Sequence, residues 1–263
     1  MPLIHHVATG AGAPPIVFVH GFGCARTDWD LQVAHFAPTH QAVAVDLRGH
    51  GASPGAPSDC SIERYGADVA EVMRALSLPR AMLVGHSMGC RVVVEAALQA
   101  PEHTAGVVLL DGSQFAAVMG PVLQATFAQP NGFAKMVQAM FKDMSTPKSS
   151  AASVAAIADR VNRLPRALGE KMLLDMLRYD TTRLTAALSC LRVPVMALQT
   201  TYSNEKRERR TMTRGQTSPY LDMLRAVIPA VRVEIIEDTG HFPQIDEPDR
   251  TNAVLGDFLA SLR

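Results

Sequence analysis

The stretch that decides the fold is Gly85-His86-Ser87-Met88-Gly89. It follows a short apolar run at 81–84 and precedes a segment with helical spacing at 91–100. A strand, a tight turn with serine at its apex and a helix form the context in which G-x-S-x-G has a chemical meaning. Both glycines are needed, because a side chain at either position would collide with neighbouring backbone. We predict that Ser87 is a nucleophile. A chance match in a glycine-rich turn is the alternative, which the flanking strand and helix disfavour.

Length, charge and cysteine usage limit the classes of protein to consider. A chain of 263 residues suffices for one large α/β domain with an inserted subdomain. The formal net charge of zero favours neither nucleic acid nor an anionic membrane as a partner. The four cysteines have no C-x-x-C spacing, which disfavours a zinc site and a disulfide framework and fits a reducing compartment. We expect no metal and no cofactor.

The sequence shows neither a signal peptide nor a membrane span. No basic segment followed by an apolar one opens the chain, and no apolar stretch reaches about 18 residues. We therefore expect a cytoplasmic protein with no membrane partner. The oligomeric state is left open.

One basic run stands out, and it consists of Lys206, Arg207, Arg209 and Arg210. It alternates with acidic residues at 205 and 208, as is typical of a solvated loop or helix face. We interpret this run as a solvated surface rather than as a binding patch.

Short buried strands alternate with helical segments along most of the chain. The predicted strands are apolar runs at 16–19, 42–45, 81–84, 106–110 and 193–198, followed by an edge strand at 232–236. This alternation predicts an α/β fold with a mostly parallel sheet that is covered on both faces. Ligands bind outside the carboxyl ends of the strands in such sheets. The loops at 20–23 and 46–51, Ser87 and Asp111 all fall at strand ends of this kind.

The alternation of strands and helices stops after Asp111, and residues 113–191 contain only helical segments. The segments lie at roughly 114–128, 132–143, 150–162, 166–178 and 182–190, separated by prolines. We predict that 113–191 forms a helical cap on a core made of 1–112 and 192–263. Its methionines and phenylalanines suit an irregular apolar pocket, although most of them are expected to be the cap's own core. They are Met119, Met136, Met140, Met144, Met172, Met176, Phe115, Phe127, Phe133 and Phe141.

Four motifs in this order resemble the α/β-hydrolases of the capped, lipase- and epoxide-hydrolase-like kind. The motifs are His20-Gly21-Phe22-Gly23, Asp46-x-Arg48-Gly49-x-Gly51-x-Ser53, Gly85-His86-Ser87-Met88-Gly89 and Gly240-His241-Phe242. They cover nearly the whole length outside the cap. The resemblance implies the chain order nucleophile, acid, histidine. Serine at position 87 argues against dehalogenase or epoxide hydrolase chemistry, because those relatives carry aspartate there.

The resemblance also implies which side chains activate Ser87. His241 stands in the loop where the family places its base. The acid has two known places in the family. The commoner place corresponds here to Ser203 and Asn204, which cannot be anions, whereas the other place holds Asp111. We predict Asp111 as the acid that orients the histidine, with Glu205 as the runner-up.

An oxyanion hole completes the predicted site. Elbow geometry supplies the backbone N–H of Met88, and the resemblance implies the N–H of Phe22 as the second donor. The leading hypothesis is a serine hydrolase that cleaves a carboxylic ester or lactone of a small, mostly apolar substrate through an acyl-enzyme. The alternatives are a cofactor-free ring-cleaving dioxygenase or a carbon–carbon bond hydrolase on the same fold, and a non-catalytic ligand receptor. For the dioxygenases, the match is the stretch 241–250, and the departure is Met88 where a histidine is expected.

Overall fold

A computed structural model describes residues 2–204 and 208–262. Within those residues the chain forms nine strands: β1 (His6–Thr9), β2 (Ile16–Val19), β3 (Ala42–Val45), β4 (Ala81–His86), β5 (Thr104–Leu110), β6 (Val195–Gln199), β7 (Thr201–Ser203), β8 (Arg209–Thr211) and β9 (Arg232–Ile235).

Eleven α-helices accompany the strands in the described part of the chain. They are α1 (Asp30–Phe36), α2 (Ile62–Ala75), α3 (Met88–Gln99), α4 (Met119–Phe127), α5 (Gly132–Asp143), α6 (Ala151–Asn162), α7 (Arg166–Thr182), α8 (Leu184–Ser189), α9 (Pro219–Val227), α10 (Pro243–Asp246) and α11 (Pro248–Ala260).

Seven strands form one sheet in the order β1-β3-β2-β4-β5-β6-β9. β1 is antiparallel to β3, and the other neighbours are parallel, so the predicted mostly parallel sheet is confirmed. β2 and β4, in the middle of the sheet, are buried along their whole length. Strands of this kind are covered on both faces and therefore consist of continuous apolar runs rather than alternating ones.

Side chains that alternate along β2 enter two separate apolar cores. Val17 and Val19 pack into the larger core, with residues of α2, α3 and the segment 113–191. Ile16 and Phe18 pack into the other core, with Trp29 and residues of α1 and α11. This alternation follows from the two-residue period of a strand. Both faces of the sheet are thus covered by helices.

Five helices, α4 to α8, occupy the chain between β5 and β6, where only helical segments were predicted. α5 has the predicted bounds, α4 begins at Met119 instead of near 114, and α7 continues to Thr182 instead of ending near 178. The division into a core and a cap stays a prediction. No helix among the described residues is long and apolar enough to cross a membrane.

Candidate active site

Ser87 lies on the turn between β4 and α3 in a strained backbone conformation. Its φ is 55° and its ψ is −113°, a region that residues with a side chain rarely adopt. A Cβ added to Gly85 would lie 2.2 Å from the carbonyl oxygen of Gly89, and a Cβ on Gly89 would lie 2.5 Å from that of Val19. The turn therefore closes only with glycine at both positions, as the sequence argument predicted.

Asp111 follows β5 directly, and its buried carboxylate accepts four hydrogen bonds. Oδ1 takes the N–H groups of Thr200 at 2.8 Å and Thr201 at 2.7 Å. Oδ2 takes the Thr201 hydroxyl and His241 Nδ1, both at 2.6 Å. Burial by itself raises the pKa of Asp111. The hydrogen bond and charge of His241, the charge of Arg209 and the hydrogen bond from the Thr201 hydroxyl outweigh burial and lower this pKa to about 2. Asp111 is therefore an anion at neutral pH.

His241 is buried and held by contacts on both its ring and its backbone. Since a carboxylate only accepts, the contact with Asp111 assigns the proton to Nδ1 and leaves Nε2 as the basic nitrogen. His86 Nε2 donates to the His241 carbonyl at 2.7 Å, and the His241 N–H donates to the Met144 carbonyl at 3.0 Å. Burial and the nearby Arg209 lower the pKa of His241 despite the opposing effect of Asp111. The ring is thus held neutral and in one tautomer.

Ser87 and His241 line one cavity with an empty volume of about 460 Å³, part of which is open to solvent. Most of its wall is apolar. The residues 113–191 contribute Ser113, Phe115, Met140, Phe141, Met144, Leu173 and Met176, and the rest of the chain contributes Gly21, Phe22, Cys24, His86, Arg209 and Phe242. Three of the six methionines named above therefore line the cavity.

Met88 and Phe22, the predicted oxyanion donors, lie next to Ser87 and next to Gly21, and Phe22 lines the cavity. Met88 is the first residue of α3, and Phe22 follows Gly21, where an added Cβ would lie 3.1 Å from the Ser87 Cβ. In the described part of the chain, neither the Phe22 nor the Met88 N–H donates a hydrogen bond. Free amides beside a serine can stabilise an oxyanion.

The loop that carries Phe22 is braced by two buried histidines. The His20 ring donates from Nδ1 to the Gly21 carbonyl at 2.8 Å and accepts the Leu47 N–H at 3.0 Å. His50 Nε2 accepts the Gly23 N–H at 3.2 Å. Burial lowers the pKa of both rings, that of His50 to about 3. Both rings are therefore uncharged and support the loop through hydrogen bonds to its backbone.

The segment after β6 differs from the sequence interpretation. β7 and β8 form an antiparallel hairpin that pairs Thr201 with Thr211. The prediction that the basic run forms a solvated surface is wrong for Arg209, whose side chain is 17% exposed and lines the cavity. The side chain of Arg210 is exposed, as predicted. Charge alternation did not reveal that one arginine turns inward. β7 and β8 have three residues each, which is too short for an apolar pattern to identify them as strands.

Two expectations on this segment fall on residues 205–207. Glu205, the runner-up acid, and two members of the basic run lie outside the described residues. Among the residues that are described, no cluster of three His, Cys, Asp or Glu side chains is arranged to hold a metal ion.

Comparison with known proteins places this geometry in a family. The model of the alpha/beta hydrolase family matches residues 16–254, which is most of the chain. The chain belongs to the alpha/beta hydrolase family. The strained serine elbow and the parallel sheet are thus features of an α/β-hydrolase, as the motifs suggested.

Sequence relatives of this α/β-hydrolase carry different names. The dihydrolipoyllysine-residue acetyltransferase component of an acetoin cleaving system from Cupriavidus necator is 24% identical over 96% of this chain. The match covers 65% of that protein, so the chain spans about two thirds of its length. The sn-1-specific diacylglycerol lipase ABHD11 of Mus musculus is 35% identical over 49% of this chain and 42% of its own length.

Solved structures share the α/β-hydrolase fold over almost the full length. Est816, described as an N-acyl homoserine lactone degrading enzyme, has a TM-score of 0.79 and 23% identity, covering 97% of this chain and 96% of its own. A thermophilic esterase from Thermogutta terrifontis has the same TM-score at 21% identity, covering 98% and 93%. Epoxide hydrolase CorEH has a TM-score of 0.77 at 22% identity, covering 99% and 95%. At these identities the likeness shows the fold alone.

Proposed function

We propose that this α/β-hydrolase is a serine hydrolase that cleaves a carboxylic ester or lactone through an acyl-enzyme. The observation that carries the proposal is the 2.6 Å contact between His241 Nδ1 and Asp111 Oδ2, in a cavity that Ser87 also lines. A nucleophile, a base and a buried anion behind the base are the parts that this chemistry requires.

In the proposed first half-reaction, Ser87 Oγ attacks the carbonyl carbon and its proton passes to His241 Nε2. The negative charge on the carbonyl oxygen is stabilised by the N–H groups of Phe22 and Met88. The bond to the leaving oxygen breaks, and His241 donates its proton to that oxygen. An acyl-Ser87 ester and an alcohol result.

In the second half-reaction, water attacks the acyl-Ser87 carbonyl while His241 takes its proton. Collapse of the tetrahedral intermediate breaks the bond to Oγ, which recovers the proton from His241. Asp111 stays ionised throughout and holds the imidazole in the tautomer that the reaction needs. For a lactone, the acid and the alcohol leave as one molecule.

Both the serine at the elbow and the wall of the cavity support an ester or lactone. Epoxide hydrolase relatives carry aspartate at the elbow, whereas this chain has Ser87. The largely apolar wall fits a small substrate with an apolar body. The names of the structural neighbours, an N-acyl homoserine lactone degrading enzyme and an esterase, agree with that class.

The test is turnover of p-nitrophenyl butyrate by wild type, Ser87→Ala and Ser113→Ala. Ser113 lies in the same cavity and provides a matched control. We expect kcat to fall at least about 10³-fold in Ser87→Ala and to stay within about threefold in Ser113→Ala. Retained turnover in Ser87→Ala removes Ser87 from the mechanism. Oxygen uptake with a hydroxyquinolone substrate would instead favour the dioxygenase alternative.

A further inference from the structure

Arg209 is a charged residue in the cavity that the proposed mechanism does not use. It lies on β8, where its backbone N–H donates to Asp143 Oδ2 at 3.1 Å. Its side chain is 17% exposed, and Nη1 donates to the Thr201 hydroxyl at 2.6 Å. Its Nε and Nη2 donate to no described residue. Most of the guanidinium donors therefore have no described partner, on a residue that lines the cavity.

The position of Arg209 beside His241, the proposed base, is electrostatically unfavourable. Its Nη1 is 3.1 Å from His241 Nδ1, which already donates to Asp111. Two N–H groups then face each other, so this short distance is not a hydrogen bond in the catalytic tautomer. The fixed positive charge also disfavours the imidazolium that forms during the reaction. Arg209 therefore offsets part of the stabilisation that Asp111 gives to the imidazolium of His241.

Among the described residues, one buried carboxylate, that of Asp111, lies close enough to pair with Arg209. Asp111 Oδ2 lies 3.5 Å from Nη1 and pairs with Arg209, but when His241 takes a proton the same carboxylate faces two positive charges. The Asp143 carboxylate lies on an exposed residue and takes the backbone N–H. Burial lowers the pKa of the Arg209 guanidinium despite both carboxylates. The remaining described wall is apolar or neutral.

We infer that Arg209 binds a carboxylate of the substrate, so that the preferred substrate is an ester or lactone with an anionic group on an apolar body. A guanidinium matches a carboxylate with two parallel hydrogen bonds, which gives both orientation and charge balance. The bound anion supplies a second negative charge, so that it and Asp111 together balance Arg209 and the imidazolium of His241. This inference rests on the proposed function and names its substrate class.

The test compares two p-nitrophenyl esters of similar shape, the glutarate monoester and the valerate ester. In wild type we expect kcat/KM to be about tenfold or more higher for the anionic ester. In Arg209→Gln the ratio of kcat/KM for the anionic ester to that for the neutral ester should fall to about one. Arg209→Lys should give an intermediate ratio, because lysine keeps the positive charge but lacks the paired donors of the guanidinium. Arg210→Gln, which removes the same charge from the exposed neighbour, should leave the wild-type ratio unchanged.

A preference of wild type for the neutral ester, with turnover still dependent on Ser87, overturns the inference and leaves the proposed function intact. If neither ester is cleaved, the proposed function fails, and calorimetry with glutarate still tests the site. Binding of glutarate that is lost in Arg209→Gln and kept in Arg210→Gln supports it. Binding that is absent, or equal in all three proteins, contradicts it. Thermal melting of each variant separates a folding defect from a lost contact.

Discussion

Arg91, one turn after Ser87 on α3, forms a buried ion pair with Asp180 of α7. Nε donates to Oδ1 at 2.7 Å and Nη2 donates to Oδ2 at 2.5 Å, and both side chains are almost fully buried. Asp180 Oδ2 also accepts the Phe115 N–H at 2.7 Å. The pair thus fixes the helix behind the elbow to the helical segment 113–191, which contributes to the cavity wall.

Asp180→Asn should strongly destabilise the protein, because it leaves the Arg91 guanidinium buried without a counter-charge. We expect a loss of about 3–5 kcal/mol in the free energy of unfolding and a Tm lower by about 6–20 °C, measured by thermal denaturation. Glu170→Gln removes the exposed pair between Arg166 and Glu170 and should change the free energy of unfolding by less than about 0.5 kcal/mol. Equal shifts in the two variants would contradict the importance of burial.

Asp111→Asn should impair catalysis rather than binding, because the amide favours the wrong tautomer of His241. We expect kcat to fall by about 10³–10⁴-fold with a small change in KM. Glu205→Gln is the control for the competing acid and should keep kcat within about twofold. A large loss in Glu205→Gln beside a mild effect of Asp111→Asn would reassign the acid.

The pH dependence of ester turnover should reflect the lowered pKa of His241. Only the neutral ring accepts a proton, so kcat/KM falls as the pH drops through the pKa of the folded protein. Because burial and Arg209 lower this pKa from 6.5, the acidic limb should lie below pH 6.5. Asp111 stays ionised down to about pH 2 and adds no limb of its own. A limb above pH 6.5 for a neutral ester would contradict the burial of an uncharged His241.

Glycine at the elbow provides a test of the fold itself. A Cβ at Gly85 would lie 2.2 Å from backbone, so Gly85→Ala should prevent the turn from closing and reduce the yield of folded protein. Gly256→Ala, inside α11 with its nearest neighbour at 3.8 Å, should instead stabilise the protein by up to about 1 kcal/mol. Circular dichroism and chemical denaturation distinguish the two outcomes.

The sequence predicted the parts of the molecule that local patterns encode. Continuous apolar runs such as Ile16–Val19 identify buried strands, and the glycines around Ser87 identify the elbow, because each depends only on nearby residues. The contact between Asp111 and His241 joins residues 130 positions apart and followed only from family resemblance. Nothing local marks Arg209 as the arginine that turns inward, since its orientation depends on a hairpin formed by two very short strands.

Labelling by a fluorophosphonate probe tests the central claim most directly, because the probe reacts with a serine only when a base has activated it. Mass spectrometry of the intact protein and of its peptides should show one adduct, located on Ser87. The adduct should disappear in Ser87→Ala and form much more slowly in His241→Gln. Absence of an adduct in folded wild type, or an adduct that persists in Ser87→Ala, would contradict the account, and the former would favour a non-catalytic receptor.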